Sequence, residues 1–241
     1  MSEPALLAVA HGSADPRAEQ VLDALVARVR SERPGLLAVL AYLGFCDPSV
    51  PTALEALARQ GVREVVVVPL LLSAAYHAKV DLPGLLSQAS VDHPQLAIRQ
   101  AEVLGPHPLL FELIRRRLAE AGAEPGMSLA LAVVGTSDPG ANAELADVAA
   151  SLGATIGFAS GTPAITAVVA DLRSRGARQV ALATYVLAPG ELSDRLHDAG
   201  ADVVTEVLGA APEVVDVVLS RYDTAAVAGA APLLDQIKTS A

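Results

Sequence analysis

The chain has 241 residues, 52% of them apolar and only 3% aromatic, with no Trp, so one large or two small domains must be built around Ala, Val and Leu. A formal net charge of −10 argues against nucleic-acid partners and against attraction to an anionic membrane. Cys46 is the single cysteine, which excludes an intrachain disulfide and a Cys-based zinc or iron–sulfur site within one chain. There is no basic segment leading into a signal-peptide core and no apolar run of about 18 residues. A cytoplasmic protein without a membrane span, acting as a monomer, is the expectation.

In chain order, short apolar runs at 5–10, 36–43 and 64–71 predict buried strands. Amphipathic stretches at 15–32, 48–60 and 107–120 predict helices, and a short strand near 95–100 closes the first unit. Asp15-Pro16 reads as a helix start, with Asp as N-cap and Pro in the first turn. "DPSVPTALEALARQG" repeats that logic from Asp47 and ends on Gly61, a suitable residue just past a helix. Strand–helix alternation of this kind predicts a mainly parallel sheet flanked by helices, an α/β fold.

The second half repeats the first. "AHGSADPRAE" matches "VGTSDPGAN" at an offset of 123, through Gly12/Gly135, Asp15/Asp138 and Pro16/Pro139. "ALARQGVREVVVVPLLL" matches "DLRSRGARQVALATYVL" at an offset of 115, and "EVLGPHPLL" matches "EVLGAAPEV" at 104. Three matches in one order, with a shrinking offset, indicate a duplication whose second copy has lost loop residues. "EAGAEPGMS" marks the boundary. The expected organisation is two tandem similar domains, residues 1–122 and 127–222, with residues 223–241 as a tail. A site in the cleft between the domains is expected.

In an open parallel sheet, ligands bind beyond the C-terminal strand ends. His11 stands there after the first strand, and His77 stands a few residues beyond the third, in "PLLLSAAYHAKVDLP". Strands one and three are usual neighbours in such sheets, about 4.8 Å apart, so the two imidazoles can converge. That suits a divalent metal ion or proton transfer near neutral pH. The competing reading is a hydrogen-bonded turn histidine. The repeat argues against it: Val134 replaces His11 in the second copy, and "YVLAPGELSDRL" holds no counterpart of His77. A requirement of the fold would have survived twice.

His93 reads as a turn residue, His107 as a helix start and His197 as a cation near a helix C-terminus. "GTSDPGAN" lacks the Lys-Ser/Thr of a phosphate-binding loop, no GxGxxG follows the first strand, and "AHGSAD" is not a nucleophile elbow. Gly12 and Ser13 can still present backbone donors at a helix N-terminus.

"LLAVAHGSADPRA", "VVVVPLLLSAAYHAKVDLP" and "LGPHPLL" together resemble the sirohydrochlorin chelatase family, the ATP-independent class II chelatases, in the long form with two fused domains. The resemblance covers roughly residues 5–220. It implies insertion of Fe²⁺ into sirohydrochlorin for sirohaem, with cobalt insertion for cobalamin, or non-catalytic binding of metal or tetrapyrrole, as alternatives. On this reading His11 and His77 bind the incoming metal and take protons from the pyrrole nitrogens. Ser13, Arg17 and Lys79, the last expected in a mid-chain loop, contact the polycarboxylate macrocycle. The metal is a substrate, and no prosthetic group is implied. In many members a glutamate follows the second strand. Here Gly44 occupies that position, so the third ligand is missing from its usual place.

Overall fold

In the computed structural model, which describes residues 3–228, the apolar runs form eight strands and the amphipathic stretches eight α-helices. The first series is β1 (Ala5–Ala10), α1 (Pro16–Glu32), β2 (Ala38–Tyr42), α2 (Val50–Arg59), β3 (Glu64–Pro69), α3 (Leu82–Asp92), β4 (Ala97–Gln100) and α4 (Pro108–Glu120). A π-helical turn, His77–Asp81, runs directly into α3. The second series is β5 (Ser128–Val133), α5 (Pro139–Ser151), β6 (Thr155–Phe158), α6 (Ile165–Ser174), β7 (Val180–Tyr185), α7 (Glu191–His197), β8 (Val203–Val204) and α8 (Pro212–Val227).

The strands make two parallel four-stranded sheets, ordered β2-β1-β3-β4 and β6-β5-β7-β8. In the first, Val9 is paired with both Ala41 and Pro69, so β1 is central and β3 is its neighbour. Leu7, Val9, Val65 and Val67 face α2 and α3 through Leu54, Leu57, Leu82 and Leu86. The alternate residues Leu6, Ala8, Val66 and Val68 point the other way and are equally buried, as expected of a sheet covered on both faces. In the second sheet Ala130, Ala132 and Leu182 pack with Ile165, Val168 and Leu196.

The duplication extends to individual hydrogen bonds. Leu43 N–H donates to Ala10 O and Gly44 N–H to His11 O; in the second copy Ala159 N–H donates to Val133 O and Ser160 N–H to Val134 O. Gly12 and Gly135 share a left-handed φ, 90° and 89°. A Cβ on Gly12 would lie 1.8 Å from Gly44 O, and one on Gly135 would lie 2.8 Å from Ser160 O, so only glycine lets these loops close.

Two expectations need correction, the cap at Asp47 and the loop at Lys79, and the compact units are divided differently from the repeats. The N-cap of α2 is Ser49, whose Oγ accepts from Thr52 N–H, and not Asp47. Tyr42 N–H donates to Pro48 O and Tyr42 bridges to the extended Ser49, which holds the chain beside the end of β2 and delays the helix. Lys79 lies in a helical turn and not in a loop. The repeat boundary at residues 122–127 does not coincide with the compact units. Among the described residues, one unit comprises 3–104 together with 215–228, and the other is Gly105–Val214. Helix α4, counted with the first repeat, packs on β7. Most of α8 belongs with the first sheet: Tyr222 Oη donates to Pro4 O (2.5 Å), and Arg33 pairs with Asp223 (2.5 Å). Of the expected tail, residues 223–227 continue α8, and residues 229–241 lie outside the described residues.

Candidate metal centre

The centre starts at the C-terminal ends of β1 and β3. His11 follows β1 at once, and its loop is tied to the loop after β2 by the Gly44 N–H to His11 O hydrogen bond (3.0 Å). Its Nδ1 lies 3.0 Å from Gly12 O. A carbonyl can only accept, so Nδ1 carries the proton and the lone pair is on Nε2.

His77 opens the π-helical turn. The turn is anchored by Gln100 Nε2, which donates to Ala78 O (3.0 Å), and by the buried Ala78 side chain. Its Nδ1 lies 2.6 Å from Asp81 Oδ2, one helical turn further on. A carboxylate there holds the ring in one orientation and again leaves Nε2 as the available ligand atom.

The two imidazole centroids are 4.6 Å apart, with ring planes at 69°. Metal–nitrogen bonds of ~2.0–2.1 Å bring the centroids of two imidazoles on one ion to roughly 4.5–5 Å. The pair therefore has the spacing of two ligands of a single ion. Among the described residues, no group of three or more His, Cys, Asp or Glu side chains is placed to hold a metal. At Gly44, where a family glutamate would stand, a Cβ would meet nothing within 4 Å.

The other expected site residues lie close to the two histidines in sequence. Ser13 Oγ accepts from Asp15 N–H (3.1 Å), and Ser13 O accepts from Cys46 Sγ (3.2 Å). Arg17 donates through Nε and Nη2 to Asp15 (3.0 and 2.5 Å), the N-cap of α1. Those bonds, with the Arg17 backbone N–H, hold the Asp15 carboxyl below its ordinary range. Lys79 is exposed two residues after His77. His107 caps α4, its Nδ1 accepting from Leu109 N–H (3.2 Å), as expected of a helix start.

Sequence reasoning missed three residues. Asp81 had a readable signal, since residues four apart on a helix are neighbours. Phe45 and Tyr76 had none. The Phe45 ring lies 5.7 Å from that of His11, and the Tyr76 ring 6.2 Å from that of His77.

Known proteins resemble this chain in sequence and in fold. The CbiX family model matches residues 5–121. The sirohydrochlorin cobaltochelatase of Priestia megaterium is 26% identical over 206 residues, covering 80% of this chain and 67% of that protein. The sirohydrochlorin ferrochelatase of Bacillus subtilis is 27% identical over 146 residues, covering 60% of this chain and 56% of that protein. A sirohydrochlorin cobaltochelatase of Methanococcoides burtonii is 30% identical over 126 residues, covering 48% of this chain and 94% of that protein. The match to the Bacillus subtilis enzyme thus spans little more than half its length. Among solved structures, SirB from Bacillus subtilis with Fe³⁺ superimposes with a TM-score of 0.83 at 22% identity, covering 93% of this chain and 96% of that one. No described helix is long and apolar enough to cross a membrane.

Proposed function

The chain belongs to the CbiX family, and on that premise we propose that it inserts Fe²⁺ into sirohydrochlorin without ATP. The observation that carries the reading is the pair of imidazoles 4.6 Å apart, each with Nδ1 engaged and Nε2 available. Insertion of a divalent ion releases two pyrrole N–H protons from the macrocycle. Neutral imidazole suits both tasks: Nε2 holds the incoming ion, and once the ion has moved to the pyrrole nitrogens the same nitrogen accepts a proton. Two protein ligands leave most of the coordination sphere to water and then to the macrocycle, so the ion is delivered and not trapped.

The reading assigns His11 and His77 as metal ligands and proton acceptors. It assigns Lys79, Ser13 and Arg17 to the carboxylates of the macrocycle, with Lys79 supplying positive charge in an otherwise acidic chain. The protein acts as a cytoplasmic monomer with no prosthetic group. Cobalt insertion is a second reading, supported by the cobaltochelatase relatives, because imidazole ligands do not separate Fe²⁺ from Co²⁺.

The test is anaerobic mixing of the purified protein with sirohydrochlorin and Fe²⁺, or Co²⁺ in parallel, followed by absorbance. Acceleration over the metal-only control with Fe²⁺ supports the proposal. Acceleration with Co²⁺ alone shifts it to the second reading. No acceleration with either leaves a binding protein and overturns the enzyme.

A further inference from the structure

Four rings stand in a row at the end of the first sheet: Phe45, His11, His77 and Tyr76, with successive centroids 5.7, 4.6 and 6.2 Å apart. The outer two are apolar faces turned to solvent. Phe45 is 75% exposed and Tyr76 57%, in a chain that has only three Phe and four Tyr. Tyr42, Tyr185 and Tyr222, by contrast, are buried. Exposing a large ring forgoes the stabilisation that its burial would bring.

The backbone at Phe45 sharpens the point. Its φ is +65°, and it is the one non-glycine residue with positive φ among the described residues. A bulky side chain there is held against its own preference, a condition that concentrates at ligand sites. The second copy of the fold is an internal control. Its corresponding loop makes the same hydrogen bonds: Phe158 N–H donates to Pro163 O as Tyr42 N–H does to Pro48 O. Between those anchors the first loop has five residues, Leu43 to Asp47, and the second has four, Ala159 to Thr162, with Gly161 where the aromatic would stand. Loop closure therefore needs neither the extra residue nor the ring. Both occur in the copy that carries the histidines.

We propose that Phe45 and Tyr76 are stacking faces that position a planar, conjugated tetrapyrrole beside the histidine pair. This rests on the function proposed above and extends it to how the macrocycle is held. Aromatic faces flanking the metal ligands bind the flat apolar body of the substrate, whose carboxylates are recognised separately at its rim. They act by positioning, and the proton and metal transfers remain with the imidazoles.

Binding of metal-free sirohydrochlorin, titrated by absorbance, tests this apart from turnover. Phe45→Gly removes the ring and relieves the left-handed backbone, so the dissociation constant should rise about tenfold while the melting temperature stays level or increases. Phe45→Tyr and Tyr76→Phe should bind as wild type, and Tyr76→Ala should weaken binding ~3–10-fold. Co²⁺ affinity without macrocycle should be unchanged in all four. Unaltered sirohydrochlorin binding by Phe45→Gly overturns the stacking role, and so does a lower melting temperature accompanied by lost Co²⁺ binding. Wild-type protein that binds no sirohydrochlorin overturns the parent reading as well, whereas wild-type binding with indifferent variants overturns this inference alone.

Discussion

Removing the carboxylate behind His77 should weaken metal binding without unfolding the protein. Asp81 Oδ2 and His77 Nδ1 are 2.6 Å apart, but the two side chains remain 36% and 46% exposed. An interaction so wet contributes ~0.2–1 kcal/mol to folding, which in a chain of this size moves the melting temperature by about 2–4 °C at most. Its effect on the metal is larger, because the free ring can rotate and can carry its proton on either nitrogen. Loss of such an outer partner typically costs ~10–100-fold in metal affinity. Asp81→Ala should fall in that range. Asp81→Asn, whose amide oxygen can still accept from Nδ1–H, should lose less. Spectroscopic titration with Co²⁺ gives the affinities, and thermal unfolding gives the control. An Asp81→Ala protein that binds Co²⁺ within twofold of wild type would refute the reasoning, and so would one that melts more than 10 °C lower.

His77→Ala should abolish Co²⁺ binding and chelation with little change in stability, since a half-exposed imidazole at the start of a turn contributes little to the core; a loss of several kcal/mol in denaturant titrations would reassign it as structural. Gly44→Glu should tighten Co²⁺ binding, because a Cβ there meets nothing within 4 Å and the residue's N–H already ties it to His11; unchanged affinity in the same titration would show that position 44 does not reach the ion. Hydrogen bonds from Arg116 hold the Glu213 carboxyl below its usual range, so the stability it contributes is present above the ordinary carboxylate pKa of about 4.3 and is lost as pH falls through its lowered native value; Glu213→Gln should flatten the acid side of a stability–pH curve and leave neutral-to-basic slopes unchanged. Tyr222 is fully buried and its Oη donates to Pro4 O, so Tyr222→Ala should destabilise the unit containing the first sheet by ~3–5 kcal/mol, measured by hydrogen exchange at β1 and β3.

Much of the local structure was legible in the sequence because it depends on neighbours in the chain. The wholly apolar run at 5–10 and the four consecutive valines within 64–71 have the character of strands buried on both faces; the first is β1, and the second contains all of β3. Asp15-Pro16 starts α1 through a side chain that accepts from a backbone N–H two residues away. Parallel pairing of β1 with β3 followed from the strand–helix alternation, and it is why His11 and His77, residues 66 apart in sequence, end with rings 4.6 Å apart. The duplication was equally visible, because Gly12 and Gly135 each answer to one backbone contact that tolerates no Cβ.

What the sequence could not express were contacts between distant segments whose partners are interchangeable by pattern. Phe45 and Tyr76 look like core residues in any hydropathy profile; their exposure depends on which loops meet at the sheet end. Asp47 and Ser49 are both good caps, and only the pairing of Pro48 and Ser49 with Tyr42 at the end of β2 selects Ser49. The helices make the point most fully. The apolar stripe of α4 shows that some sheet must cover it, as do the buried valines of α8, but an amphipathic face carries no address. Packing assigns α4 to β7 and most of α8 to the first sheet, across the order in which the repeats were written. Repeats of one fold have similar docking faces, so that choice rests on long-range complements such as Tyr222 with Pro4 and Arg33 with Asp223, which exist only once the chain has folded.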